Sequence, residues 1–139
     1  MASRGRDWRI ESLIMGITQV TAAVRNPADP ERFWEGLFLV DTGAVDCLVP
    51  ERHLRELGIK PAGKRSYELA DGTEVTFEIG GAQIEFMGET VWVTVLFGPD
   101  DAEPILGVTA LGSAGIEVDP RTQRLTRLPA VRLKRVRRP

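Results

Sequence analysis

The chain has 139 residues, with 42% hydrophobic and 27% charged residues and a formal net charge of −2, values of an ordinary globular domain that can bury one core. A single cysteine excludes an internal disulfide framework and suits a reducing compartment, and no apolar run approaches the roughly 20 residues of a membrane span. The segment "MASRGRDWRIESLIMG" has neither an apolar core nor a small-residue cleavage site, so a cytoplasmic location without secretory signal or membrane contact is expected.

Charge is unevenly placed. From Arg121 to Pro139 there are eight Lys/Arg and no Asp/Glu, which leaves ten basic against twenty acidic groups in the rest. Residues 1–16 read as an irregular N-terminal arm, 17–128 as one domain, and 129–139 as a basic tail. The tail has no aromatic residue on which to stack bases, so its basic stretch 132–138 reads as a solvated end ahead of a nucleic-acid contact.

In chain order, "GITQVTAAV" is a predicted strand, ended by a loop at "RNPADPE" with its two prolines. Phe33 to Val40 resumes as a strand and runs into "DTGAVDC". Pro50 opens a short helix over "ERHLREL", and Gly58 closes it. His53 is expected on its exposed face. From Tyr67 the pattern alternates: Val75, Phe77 and Ile79 face one way, Gly80-Gly81 turns the chain, and Ala82, Ile84 and Phe86 alternate on the return. "ETVWVTVLF" is a further strand, "FGPDDAEP" a loop, "ILG" a short apolar stub, and "GIEVDPRTQRLTRL" a hairpin turned at Asp119-Pro120. Many short strands, one short helix and no βαβ alternation predict an all-β barrel or sandwich.

A buried strand does not end on a carboxylate without a use for the charge, which singles out Asp41. Three stretches, "FLVDTGA" (38–44), "LADGTEV" (69–75) and "PILGVTALG" (104–112), together resemble the retropepsin-like, retroviral-type aspartic proteases of the single-domain homodimeric branch. Their order and spacing cover most of residues 18–126. The resemblance implies an acid-protease barrel completed by homodimerisation and an aspartic endopeptidase acting on a polypeptide substrate without cofactor or metal. Such hydrolysis needs a water made nucleophilic and a proton for the scissile carbonyl, and two carboxylates about 3 Å apart sharing one proton supply both. Only one Asp-Thr-Gly occurs here, so Asp41 has to meet its own symmetry mate across a two-fold axis.

By the same resemblance Thr42 hydrogen-bonds across the two-fold, Gly43 permits the tight turn, and Ile105, Leu106 and Gly107 pack behind the catalytic loop. Leu69, Ala70, Asp71 and Gly72 would form a flap over substrate, with Ala44 and Asp46 in the cleft. Viral members often carry a substrate-binding aspartate directly after Gly-Ala, whereas here Val45 intervenes, and one step along an extended segment reverses side-chain direction. Cys47 is expected as a small core residue. A Cys47–His53 nucleophile lacks an orienting third group, and one Cys with one His makes no zinc site. Two other readings use the same residues: a catalytically silent peptide-binding or dimerisation module on this fold, and a nucleic-acid-associated protein led by its tail.

Overall fold

In the computed structural model, which describes residues 13–14 and 17–129, the chain runs through β1 (Leu13–Ile14), β2 (Ile17–Asn26), β3 (Asp29–Val40), β4 (Cys47–Pro50), α1 (Glu51–Glu56), β5 (Gly63–Glu68), β6 (Glu74–Phe86), β7 (Glu89–Gly98), β8 (Ile105–Leu106), α2 (Val108–Ala114), β9 (Ile116–Asp119) and β10 (Arg124–Arg127). The expected arm lies almost wholly outside the described residues, and the basic stretch 132–138 lies outside them entirely. No helix among them is long and apolar enough to cross a membrane.

β9 and β10 form a separate two-stranded sheet, and the other eight strands form one sheet in the order β1-β2-β3-β8-β4-β7-β6-β5, in which β2 also pairs β6. That extra pairing curls the sheet into a barrel, which removes most of the open edge a flat sheet would leave. The core fills it with Val20, Ala22 and Val24 of β2, Phe38 of β3, Val49 of β4, Ala82, Ile84 and Phe86 of β6 and Val91, Val93 and Val95 of β7. These are mostly β-branched or aromatic side chains, which suit a pleated, packed surface. The all-β barrel expected from sequence is the observed fold, with a second short helix, α2, that the Gly- and Ser-containing "VTALGSA" had not announced.

The expected loop at "RNPADPE" is shorter than its prolines suggest. Asn26 Oδ1 accepts the Ala28 N–H at 2.9 Å, the chain reverses there, and β3 resumes at Asp29 with Pro30 inside it. β3 pairs β8 only at Leu39 and Val40, so over its first half it has β2 on one side alone, and an outward-facing proline breaks no ladder.

α1 starts after Pro50, whose φ of −52° suits a helix entry, and ends before Gly58 at φ 78°. Leu54 is fully buried, with Leu57 and Ile59 packed beyond it. His53 departs from its expected exposure. Its side chain is only 15% exposed, its ring stacks on Trp34 with centroids 4.0 Å apart and planes 14° apart, and its buried Nδ1 has no hydrogen-bond partner. A one-and-a-half-turn helix lying on β3 cannot show the solvent all but its buried leucine, which a helical wheel alone does not reveal.

Gly80-Gly81 does not turn the chain either. β6 runs unbroken through it, and the turn comes at Met87-Gly88, both at positive φ, 52° and 78°. The apolar phase does slip at the glycines, from Val75, Phe77 and Ile79 to Ala82, Ile84 and Phe86, and the pairing explains why. Up to Glu78 β6 pairs only β5, whereas from Ile79 onward it pairs β7 inside the barrel. The strand leaves one layer and enters another, so the face that is buried changes. The C-terminal hairpin β9–β10 folds back on the barrel: Arg127 donates to the Met87 carbonyl and pairs with Glu89, and the Leu128 N–H bonds the Gly115 carbonyl at 2.7 Å.

Two outcomes test this packing. A Cβ on Gly80 would meet the Lys60 carbonyl at 3.0 Å and Phe97 at 3.2 Å, whereas one on Gly81 meets nothing within 4 Å. Gly80→Ala is therefore expected to cost about 1–3 kcal/mol in urea unfolding, and Gly81→Ala to be neutral or to stabilise by up to about 1 kcal/mol. Equal losses at both sites would restore the turn. Burial, helped by Arg52 and opposed by Glu56 and Asp100, depresses the His53 pKa below 6.5. The unfolded chain therefore takes up that proton first, and the contribution of His53 to stability is complete above pH 6.5 and is lost as pH falls through the folded value. His53→Gln should flatten the fall of Tm between neutral pH and pH 5, and an imidazole that titrates by NMR at or above 6.5 contradicts the stacked arrangement.

Candidate active site

β3 delivers Asp41 to the end of a strand held from the side. The Leu39 N–H bonds the Pro104 carbonyl at 2.9 Å and the Asp41 N–H bonds the Leu106 carbonyl at 3.1 Å, so β8 fixes the last two turns of the pleat. The chain then reverses on the aspartate itself. Asp41 Oδ1 accepts the Gly43 N–H at 2.9 Å, and its carbonyl accepts the Ala44 N–H at 3.1 Å. This is an Asx-type turn, which orients the carboxylate through the backbone. A Cβ on Gly43 would stand 3.3 Å from that oxygen, tight enough to push it away. Asp41 is half-buried, while Thr42 and Gly43 are exposed.

Behind the loop lies the corner between β8 and α2. Leu106 is fully buried and Ile105 partly so. The Val108 N–H bonds the Ala44 carbonyl at 2.7 Å and the Thr109 N–H bonds the Val45 carbonyl at 3.1 Å. A Cβ at position 107 would lie 2.5 Å from the Asp46 carbonyl oxygen and 2.8 Å from that of Val45, so only glycine fits between these backbones. Val45, 57% exposed, and Val108, 43% exposed, present apolar side chains on the two segments so joined; neither was given a role from sequence, although an apolar residue two positions after the Asp-Thr-Gly was there to be noticed.

The hairpin of β5 and β6 carries Leu69, Ala70, Asp71 and Gly72 at its exposed tip. The Leu69 N–H bonds the Thr73 carbonyl at 2.7 Å, the Gly72 N–H bonds the Leu69 carbonyl at 2.9 Å, and Gly72 takes φ 87°. The Thr73 N–H on Asp71 Oδ1 holds that carboxyl below its usual range and closes the turn. Asp46, placed by its sequence position with the substrate contacts, is buried: its Oδ2 accepts Arg65 Nη1 at 2.7 Å and the Tyr67 hydroxyl, both from β5. The structure thus brings Asp41 to Ala44 against Ile105 to Gly107, and ties the hairpin to the same loop through Asp46. Arg65 and Tyr67 had no sequence signal, since their role comes from pairing with a residue about twenty positions away.

Cys47 is 1% exposed, and burial raises its thiol to about 11, so it is no nucleophile near neutral pH. His53 stacks on Trp34 and belongs to the α1–β3 contact. Among the described residues no group of three or more His, Cys, Asp or Glu is placed to hold a metal ion.

The family model described as "gag-polyprotein putative aspartyl protease" matches residues 35–113, which include Asp41, the hairpin and the β8–α2 corner. No curated protein matches the sequence. Among solved structures, a retropepsin-like aspartic protease from Rickettsia conorii is 22% identical and superposes with a TM-score of 0.58, covering 84% of this chain and 85% of that one. The Simian Foamy Virus (mac) protease is 18% identical with a TM-score of 0.46, over 66% of this chain and 91% of that one. The EIAV protease in complex with the inhibitor HBY-793 is 20% identical with a TM-score of 0.44, over 74% and 92%. The Rickettsia match extends over most of both chains and shows the fold. With the family model covering more than half of the sequence, the chain belongs to the retropepsin-like aspartic proteases.

Proposed function

We propose that the protein is an aspartic endopeptidase, active as a homodimer, in which Asp41 of each chain forms one half of a carboxylate pair. The observation that carries this reading is the Asp41 turn itself, a half-buried carboxylate pinned by the Gly43 N–H at 2.9 Å and followed by the exposed Thr42 and Gly43. A binding module has no need to hold an acid so rigidly at a surface two copies can share. The next acid along the chain, Asp46, is already bonded to Arg65 and Tyr67, so the loop offers Asp41 no second carboxylate of its own.

In the pair, like charges about 3 Å apart cannot both ionise, and one proton is held between them. The ionised member takes a proton from a bound water as that water attacks the scissile carbonyl, while the protonated member donates to the carbonyl oxygen. As the C–N bond then breaks, the first member gives the water's proton to the leaving amine and the second takes a hydroxyl proton back from the tetrahedral intermediate, which restores the pair. Thr42, exposed beside Asp41, would bond the partner loop, and the exposed tip at Leu69 to Gly72 would offer main-chain groups to an extended peptide. Val45 and Val108 give the adjoining surface an apolar character, which favours apolar side chains in the substrate.

Asp41→Asn is expected to keep the particle at twice the chain mass and to lower peptide hydrolysis by about 10²–10⁴-fold or more. Undiminished hydrolysis in that variant would falsify the assignment, and a wild-type dimer that cleaves no peptide at any pH identifies the silent module. Gly107→Ala forces a Cβ onto backbone at 2.5 Å, so it should cost about 1–3 kcal/mol in denaturant unfolding and abolish activity in whatever fraction stays folded. Wild-type stability with full activity would show that the close packing behind the loop is dispensable.

A further inference from the structure

The Asp46 side chain ties the Asp41 loop directly to the hairpin of β5 and β6, whose outer half is otherwise met from outside the hairpin by Arg55 of α1 on Glu78 at 3.1 Å. Asp46 stands five residues beyond Asp41, with its carbonyl pressed against Gly107 and its side chain only 6% exposed. Its two donors, Arg65 and Tyr67, are two apart on β5 and so share a face of the hairpin. The Tyr67 ring packs edge-on against Phe77 of the facing strand at 6.1 Å, which fixes the direction of its hydroxyl. Tyr67 is two residues from Leu69, where the exposed tip begins. The outer half of this hairpin has no other strand beside it, because β6 meets β7 only from Ile79 onward. An isolated two-stranded hairpin is marginal in water, so its reach depends on what holds it laterally.

We propose that Asp46, Arg65 and Tyr67 form a latch that sets the position of the hairpin tip relative to the Asp41 loop, which makes Arg65 and Tyr67 positioning residues for capture of an extended peptide. This rests on the peptidase reading given above. Recognition by main-chain hydrogen bonds requires the tip at a fixed height above the catalytic loop, and a buried carboxylate with two converging donors supplies a rigid strut for that. Removing one donor leaves the buried Asp46 charge under-compensated and the hairpin free to swing. The cost falls on substrate binding, since neither residue touches the reacting atoms. The Tyr67 phenol, raised above 10.0 by burial and next by its bond to Asp46, remains a donor throughout the working range of an acid protease.

The test uses the full chain and a panel of internally quenched peptides, with Tyr67→Phe, Arg65→Gln and Arg65→Lys. The first two are expected to raise KM about tenfold, the loss of one charge-assisted hydrogen bond, with kcat held within about twofold. Arg65→Lys should recover most of the Arg65→Gln loss. Hydrogen exchange at the amides of residues 69–73 should quicken by a similar factor in Tyr67→Phe and Arg65→Gln, while the Met87-Gly88 turn exchanges as in wild type. Unchanged KM and unchanged exchange at the tip in both variants overturns the latch, as does a fall in kcat at constant KM. If the wild-type chain cleaves no peptide, the peptidase reading has failed and the exchange measurement alone decides the latch.

Discussion

The close approach of two backbones at Gly107 is the constraint on which the remainder of the site depends. With 2.5 Å between the Asp46 carbonyl oxygen and where a Cβ would stand, the loop after Asp41 lies flat against the start of α2 and exchanges two backbone hydrogen bonds with it. That fixes the position of the loop without recourse to side chains. Asp41 is then set at its N-terminal side by β8 and by its own Asx turn, and Asp46 at its C-terminal side by the hairpin donors. A barrel built from ordinary β-branched packing thereby presents one carboxylate with little freedom to move, the preorganisation that the proposed chemistry would draw on.

The inward turn of Asp46 sets it apart from Asp41 on the same loop. Two carboxylates on one loop would compete for the same donors and the same water. Here one is consumed by Arg65 and Tyr67 inside the fold and the other stays half-buried at the surface, so their roles are separated by environment. In the proposed mechanism the second catalytic carboxylate would come from a second copy, which would make the chemistry a property of the dimer. Such a symmetric pair would need only one Asp-Thr-Gly per chain, the number the sequence holds.

Much of this was legible in the sequence, and the failures share a cause. Asp41, Gly43 and Gly107 could be read because each sits where a turn or close approach demands its residue type. The Asp71-Gly72 tip and the Asp119-Pro120 turn were legible for the same reason. Gly80-Gly81 was read as a turn because a phase slip in an alternating pattern looks the same whether the chain reverses or crosses between layers. Only the pairing partners distinguish the two, and these are non-local. His53 and Asp46 were misjudged or left open for a similar reason: the ring of Trp34 and the donors Arg65 and Tyr67 are brought to them by the fold, nineteen or more positions along the chain. α2 escaped notice because its glycine and serine weaken the helical pattern, and its ends are set by Gly107 and by Gly115 in the left-handed region at φ 70°.

The central claim is that a single chain holds half of a catalytic site. It is tested most directly by measuring specific activity against protein concentration, with the particle mass followed over the same dilution series. Specific activity should fall as the particle dissociates to single chains and should return on reconcentration. Constant specific activity in samples shown to contain only single chains would contradict the account.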